Sequence, residues 1–298
     1  MNWIVTSIMG AFFQNARSSI QKRLNTEMSL MASTYVRFAF SLPILLTVFL
    51  LYFGNFNYFI TVIQNSNFVF YVILASVLQI SFTLLFLYLL KFTNFLVGTA
   101  LSKTEVIQIA FFEFIILKDY LNFYALLGIM ISTIGVIIFS TKDLKNIFNS
   151  FFSRSTIVGL FCGTLLALSV VFYRGSMEFI DFTNRNFDKA LLTLFAATII
   201  QTSLITLYLL FFETSEFKKL KSNIKLSALA GLFGFSATIS WFYSFSLVQA
   251  ALVRAVGQIE LLFSYISSRF MFKEKIRFIE IFGIVVFIFG LILVIFNK

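Results

Sequence analysis

The sequence has no histidine, one cysteine and one proline in 298 residues. Without histidine or a second cysteine, the chain cannot form an internal disulfide, a Cys/His metal site or a histidine-based acid–base centre. Charged residues are also scarce, at 12% of the chain against about 25% in soluble proteins. We therefore expect no enzymatic activity, no metal site and no cofactor.

Hydrophobic residues make up 59% of the chain, and the mean hydropathy is +0.94. A membrane-spanning helix needs about 20 mostly apolar residues. Lipid satisfies no free N–H or C=O group, so each spanning segment must be helical. We predict an all-α integral membrane protein with ten transmembrane helices, at residues 4–24, 32–53, 68–90, 94–117, 121–140, 156–178, 188–212, 226–247, 250–271 and 277–296.

Basic residues exceed acidic residues by ten, and they lie mostly in the short connections between the predicted spans. This pattern is typical of loops that contact anionic lipid headgroups, and we expect no nucleic-acid partner. More lysine and arginine residues lie on the side opposite the two termini. By the positive-inside rule, this count puts both termini outside.

The two halves of the chain repeat at a distance of 155 residues. Each half has five predicted spans, an odd number, so the halves are inserted upside down relative to each other, as in many transporters. We expect a first repeat at 1–141, a polar linker at 142–155 and a second repeat at 156–298. The matched pairs include Glu105 with Glu260, Asp119 with Glu274, Gly128 with Gly283 and Gly135 with Gly290.

The paired glutamates Glu105 and Glu260 lie inside predicted spans four and nine. An ionised group at a helix centre costs about 2.5–3.5 kcal/mol, so such residues face the bundle interior or a wet cavity. Two interpretations stay open. Either the glutamates contact substrate or carry protons, or they form structural ion pairs with Lys103, Arg254 or another arginine. Asp119 and Glu274 are interpreted as helix ends at the water.

Cations outnumber acids inside the predicted spans, which favours a substrate with at least one anionic group. Spans one, two, four, six, eight and nine should line its site, with spans five and ten at the periphery, where their paired glycines pack helices closely. Arg37 can equally form a structural pair, and Arg17 and Arg174 lie near span ends. The candidate substrate-binding residues are Arg17, Arg37, Tyr88, Lys103, Glu105, Arg174, Trp241, Tyr243, Arg254, Gln258 and Glu260, in which the aromatic residues wall the cavity or stack on a ring or ammonium.

Several segments resemble motifs of one transporter family. The segments "TEVIQIAFFEFIILKD" and "IELLFSYISSRFMFKE" carry two acids each, and "LLGIMISTIGVIIF" and "IFGIVVFIFGLILV" follow them. The segments "MGAFFQNARSSI", "YVRFAF" and "VVFYRG" add basic positions. In this order they resemble the ten-helix EamA-type members of the drug/metabolite transporter superfamily. The chain departs from that family at Val106 and Leu261, where proline is usual, and at Lys118 and Lys273, where glycine is usual.

The resemblance implies a secondary transporter whose termini lie in the cytoplasm, opposite to the charge count. We expect a transporter of the bacterial inner membrane, monomeric or homodimeric, that moves an amino acid or a related anionic or zwitterionic metabolite by alternating access. The alternative is a drug or metabolite exporter driven by proton exchange through Glu105 and Glu260. A lipid-modifying enzyme, a channel and a scaffold are the competing classes.

Overall fold

The structure is a computed structural model, and it describes residues 2–92, 104–140, 154–263, 265 and 278–296. All regular secondary structure in these ranges is helical, as predicted. The helices are α1 (Asn2–Leu24), α2 (Leu30–Ala39), α3 (Leu42–Phe53), α4 (Asn57–Ile63), α5 (Ser66–Phe92), α6 (Glu105–Phe112, continued by a π-helical turn Glu113–Leu117), α7 (Phe123–Ser140), α8 (Arg154–Glu178), α9 (Asn186–Phe212), α10 (Glu216–Ser222), α11 (Ile224–Leu247), α12 (Ala250–Gly257) and α13 (Phe278–Phe296).

Five helical segments of the described chain are long and apolar enough to cross a membrane: Leu30–Phe53, Ser66–Lys91, Ile157–Glu178, Asn186–Phe212 and Ile224–Leu247. They correspond to predicted spans two, three, six, seven and eight. Large apolar side chains are exposed on the outside of the bundle, including Leu51, Phe211 and Phe296. An apolar surface of this extent is unfavourable in water, so the chain is a membrane protein. The count of ten spans stays a prediction.

Predicted span two is broken, which corrects the expectation of one continuous helix. Helix α2 ends at Ala39, and α3 begins at Leu42 with Pro43 in its first turn. Proline has no N–H to donate to the carbonyl four residues earlier, and its ring clashes with that carbonyl. The hydrogen-bond ladder is therefore interrupted between Ala39 and Leu42, a few residues after Arg37.

Predicted span nine is also broken, although it contains no proline. Helix α12 ends at Gly257, Gln258 and Ile259 form a turn, and residues 260–263 are helical again. The Gln258 and Ile259 N–H groups donate to carbonyls three residues back, the pattern of a tight 3₁₀ turn. Glycine at 257 lowers the helix propensity at this point. Glu260 thus begins a new helical segment.

Two short helices, α4 and α10, lie in connections for which no helix was predicted. In α10 the side chains of Glu216 and Leu220 are buried against the bundle, while Lys218 and Lys221 are exposed. One turn or two of helix is too short to produce a periodic signal that stands out in sequence.

Three helix pairs form the main contacts of the bundle: α1 with α11, α5 with α8, and α7 with α13. The last pair is antiparallel and depends on glycine. A Cβ atom on Gly128 would lie 2.8 Å from the Gly290 carbonyl oxygen, and one on Gly135 would lie 2.9 Å from that of Gly283. No side chain fits at these contacts, so the predicted packing role of the paired glycines is confirmed.

Candidate functional site

A cavity lies between the helices of the two halves and is lined by α1, α2, α5, α8, α11 and α12. Its volume is about 20 Å³, with room for about one or two water molecules. Compared with the prediction, α5 of span three is an additional wall, and the described part of span four, α6, contributes no lining residue. We call this space the central cavity. Its polar lining residues are Gln14, Arg37, Gln79, Tyr173, Thr238, Trp241 and Arg254.

A second space, of about 10 Å³, adjoins the central cavity. It shares four lining residues with the central cavity: Arg37, Gln79, Thr238 and Phe242. Its remaining walls come from α2, α3, α9 and α11 and include Gln201. We call it the side cavity. Arg37 lies on the boundary between the two spaces, so its guanidinium is the charged group common to both.

Arg254 and Glu105 form an ion pair inside the bundle. The Arg254 Nε atom donates to Glu105 Oε1 at 2.9 Å, and Nη2 contacts the same oxygen. Both side chains are almost fully buried. The second carboxylate oxygen, Oε2, has no hydrogen-bond partner in the described ranges. The structure therefore shows the ion-pair geometry that the sequence left as one of two interpretations.

Trp241 connects this pair to Glu260. Its Nε1 atom donates to Gln14 Oε1 at 3.0 Å, and Gln14 Nε2 donates to Glu260 Oε2 at 2.8 Å. The Arg254 guanidinium carbon lies 4.6 Å from the Trp241 ring centroid, within the range of a cation–π contact. Gln14 thus couples the tryptophan to the acid of the broken helix.

Glycines on two helices enclose the Trp241 ring. A Cβ atom on Gly10 would lie 2.9 Å from the ring-fusion carbons, and one on Gly257 would lie 2.5 Å from Cη2. The ring packs against the protein's own backbone and against Arg254. Trp241 thus lines the central cavity, as expected, and the cation over its ring in this structure is Arg254. Stacking on a ligand stays a prediction.

Arg37 and Arg17 are buried arginines whose guanidinium groups are incompletely paired. Arg37 Nη1 donates to Thr83 Oγ1 at 3.1 Å, and Arg17 Nη2 donates weakly to Ser18 Oγ at 3.4 Å. Within the described part of the chain, Arg37 Nε and the Nε and Nη1 atoms of Arg17 have no acceptor. No described carboxylate lies within 4 Å of either guanidinium. Leaving buried charged donors unpaired is costly, so both groups are suited to an added anion.

A cluster of amides and hydroxyls, not predicted from the sequence, lies beside Arg37. Gln201 Nε2 donates to Gln79 Oε1 at 2.7 Å and to the Tyr173 hydroxyl at 2.8 Å. That hydroxyl is 3.1 Å from Ser76 Oγ. The available signal was a glutamine in the middle of each apolar run, since polar groups inside a membrane face the protein interior.

Of the predicted site residues that the structure describes, only Arg37, Trp241 and Arg254 line the central cavity. Glu105 and Glu260 lie behind it, bonded to the lining residues Arg254 and Gln14, and Arg17 lies beside Arg37.

Four other predicted site residues lie elsewhere, which corrects that part of the site. Tyr88 is half-buried on α5 and does not line the central cavity. Tyr243 packs edge-on against Phe187, with ring centroids 6.0 Å apart. Gln258 lies between α7 and α13, where its Nε2 is 3.3 Å from Thr133 Oγ1. Arg174 belongs to the separate cluster below, and Lys103 lies outside the described residues.

Arg174 pairs with two acids, and one of them, Glu113, binds the start of α12. Its Nη1 atom lies 3.1 Å from Glu113 Oε1 and also contacts Asp119. Glu113 in turn accepts the N–H groups of Ala250 and Ala251, at 2.8 and 2.9 Å. A carboxylate here caps the first turn and complements the helix dipole. We call these residues the Arg174 cluster. Asp119 follows the end of its helix, as predicted, and its carboxylate also pairs with Arg174.

The model of the EamA-like transporter family matches the chain in two halves, residues 1–141 and 154–296. The chain belongs to the EamA-like transporter family. It is thus a member of the drug/metabolite transporter superfamily, as its motifs indicated, and members of this family are transporters, not enzymes. No curated protein matches this EamA-like transporter. One crystal structure covers 99% of it and 98% of its own chain, with a TM-score of 0.71 and 9% identity. That likeness concerns the fold alone.

Proposed function

We propose that this EamA-like transporter is a secondary transporter of a small organic anion or zwitterion, which binds at Arg37 and crosses by alternating access. The observation that carries the proposal is the state of Arg37 and Arg17. Arg37 lines both cavities, Arg17 is buried beside it at Gly234, and each has guanidinium N–H groups with no acceptor among the described residues. An anion in the cavity would supply the missing acceptors through charge-assisted hydrogen bonds.

Two inverted five-helix repeats are the architecture that fits this role. The contacts between α7 and α13 are reciprocal: Gly128 meets Gly290, and Gly135 meets Gly283. Because the pairs are exchanged across repeat-related positions, they have the form of a contact at a two-fold axis. In inverted-repeat transporters the substrate site lies between the halves near the bilayer midplane. The broken span nine, with Glu260 directly after its break, agrees with that plan.

Alternating access requires a closure on each side of the site. In the ten-span topology, the Arg174 cluster closes the side of the chain termini. On the opposite side, the Ser29 N–H donates to Glu216 Oε2 at 2.9 Å, and its hydroxyl donates to Glu213. With both closures made, the central cavity has little free space. The structure therefore suits an occluded state from which either closure opens in turn.

Proton-driven export is the second candidate function. The observation that favours it is Glu105 Oε2, a buried carboxylate oxygen with no hydrogen-bond partner in the described ranges. Protonation there would weaken the ion pair with Arg254 and free that arginine for an anion. Transport by this route would require a proton gradient, whereas exchange of anions through Arg37 alone would not.

Uptake by proteoliposomes tests the proposal. The purified protein is reconstituted into liposomes, and the flux of anionic, zwitterionic, cationic and neutral metabolites across the membrane is measured one solute at a time. Each flux is measured with and without a pH gradient. Saturable flux of anions or zwitterions, with none for cations, supports the proposal. Transport restricted to cations or neutral solutes would contradict it. Flux that occurs only with a pH gradient selects the proton-driven candidate.

A further inference from the structure

We infer that Gln79 and Gln201 form a specificity site beside Arg37, and that the substrate is a hydroxylated or carboxamide-bearing monocarboxylate, not an amino acid. The inference rests on the proposed function and deepens it by naming the substrate class. Its basis is the unused hydrogen-bonding capacity of the two glutamine side chains.

Both glutamines lie within reach of whatever binds Arg37. Gln79 and Arg37 line both cavities, and Gln201 lines the side cavity with them. Thr83, which accepts the hydrogen bond from Arg37, lies one helical turn after Gln79 on α5 and donates to the Gln79 carbonyl at 2.8 Å. The Gln79 amide and the Arg37 guanidinium therefore approach the same space from neighbouring helices.

The hydrogen bonds of the two amides leave one NH₂ group and one carbonyl oxygen unused. Gln201 Nε2 donates to Gln79 Oε1 and to the Tyr173 hydroxyl, which orients both amide groups. Gln79 Nε2 and Gln201 Oε1 have no hydrogen bond among the described residues. A ligand group that accepts from the first and donates to the second satisfies both. A hydroxyl or a carboxamide does so, and a methyl or methylene group satisfies neither.

The charges near the cavity disfavour an ammonium at this position. Arg17, Arg37 and Arg254 are buried cations there, while Glu105 is paired with Arg254 and Glu260 accepts from Gln14. Three guanidinium groups against two carboxylates leave one positive charge among these described residues. One carboxylate on the substrate balances it. An added ammonium would bring back the excess positive charge and would be repelled by Arg37.

Matched acids that differ in a single substituent provide the test. Affinities of the purified full-length protein are measured by calorimetry for lactate, propionate and alanine, and for phenyllactate, 3-phenylpropionate and phenylalanine. Each set changes only hydroxyl, hydrogen or ammonium at the second carbon. We expect the hydroxy acid to bind roughly three- to tenfold more tightly than the unsubstituted acid, the gain of one or two hydrogen bonds, and the amino acid to bind most weakly.

Gln201→Met should remove this preference by lowering the affinity for the hydroxy acid to that of the unsubstituted acid, whose own affinity stays unchanged. Gln64→Met, at an exposed position, should leave the ranking intact. The inference would be overturned if the acids of a set bind with equal affinity, or if the amino acid binds most tightly. It would also be overturned if Gln201→Met leaves the ranking unchanged, or if none of the six acids binds. If the wild type binds the acids of a set equally and Arg37→Gln abolishes that binding, only the specificity site is rejected. If Arg37→Gln changes no affinity, the proposed anion site itself fails.

Discussion

Arg254 on α12 donates a hydrogen bond of 2.9 Å to Glu105 on α6, and the pair joins the two halves of the chain inside the bundle. Both side chains are almost fully buried. Removing one member therefore leaves the other charge buried and unpaired, which is more damaging than removing both.

We accordingly expect Arg254→Met to destabilise the protein by about 3–5 kcal/mol. Glu105→Gln should have a similar effect, and the double variant should recover a large part of the loss. Thermal unfolding in detergent, arranged as a double-mutant cycle, measures the coupling. The exposed Glu27→Gln serves as the control. Additive effects of the two substitutions would contradict the pairing.

Gly257→Ala should disturb the packing of Trp241, because the added Cβ would lie 2.5 Å from Cη2. Overpacking of this kind costs about 1–3 kcal/mol. Phenylalanine lacks the Cη2 atom, so Trp241→Phe should largely rescue Gly257→Ala. Thermal unfolding of the single and double variants checks this prediction. A Gly257→Ala protein as stable as the wild type would show that the contact is not tight.

Arg174→Gln should open the side of the chain termini more often, because it removes the cation that links Glu113 and Asp119. The readout is maleimide labelling of Thr238→Cys, a central-cavity position, in a Cys162→Ser background. Labelling from the side of the termini should become faster. Arg185→Gln, in an exposed neighbouring loop, is the control. Unchanged or slower labelling would exclude the Arg174 cluster as a closure.

Ser29→Ala should open the side opposite the chain termini more often. It removes the hydroxyl that donates to Glu213 and that accepts from the Ala32 N–H at the start of α2. Loss of this N-cap costs about 1 kcal/mol. Labelling of Thr238→Cys should become faster from the side opposite the termini. Ser222→Ala, at an exposed site, controls for the loss of a loop hydroxyl, and faster labelling from the side of the termini would contradict the assignment.

The sequence predicted features that depend on a single helix, such as which of its faces is buried in the protein. An arginine in an apolar run must face the protein interior, and both Arg37 and Arg254 do so. Both line the central cavity, which is one of the two roles that the sequence left open for Arg37. Glycines seven residues apart mark one helix face, so the close contact of Gly128 and Gly135 was also expected. These properties follow from helical geometry and the low polarity of lipid.

Features that depend on which helices become neighbours were not predicted. The sequence contains Arg174 and Glu113 but not the placement of α8 beside α6 and α12, which makes them partners. The glutamines Gln79 and Gln201 were missed because an amide costs less to bury than a charge and stands out less. The break after Gly257 was missed because no proline marks it.

The affinity of Arg37→Gln for an anionic ligand tests the central claim most directly. The best-binding acid of the wild type is titrated against Arg37→Gln, Arg37→Lys and the exposed Arg23→Gln, with unfolding temperatures recorded to confirm that each variant is folded. Loss of a charge-assisted contact of about 1.5–3 kcal/mol predicts an affinity at least tenfold weaker in Arg37→Gln. We expect a smaller loss in Arg37→Lys and none in Arg23→Gln. A folded Arg37→Gln protein that binds the acid as tightly as the wild type would contradict the account.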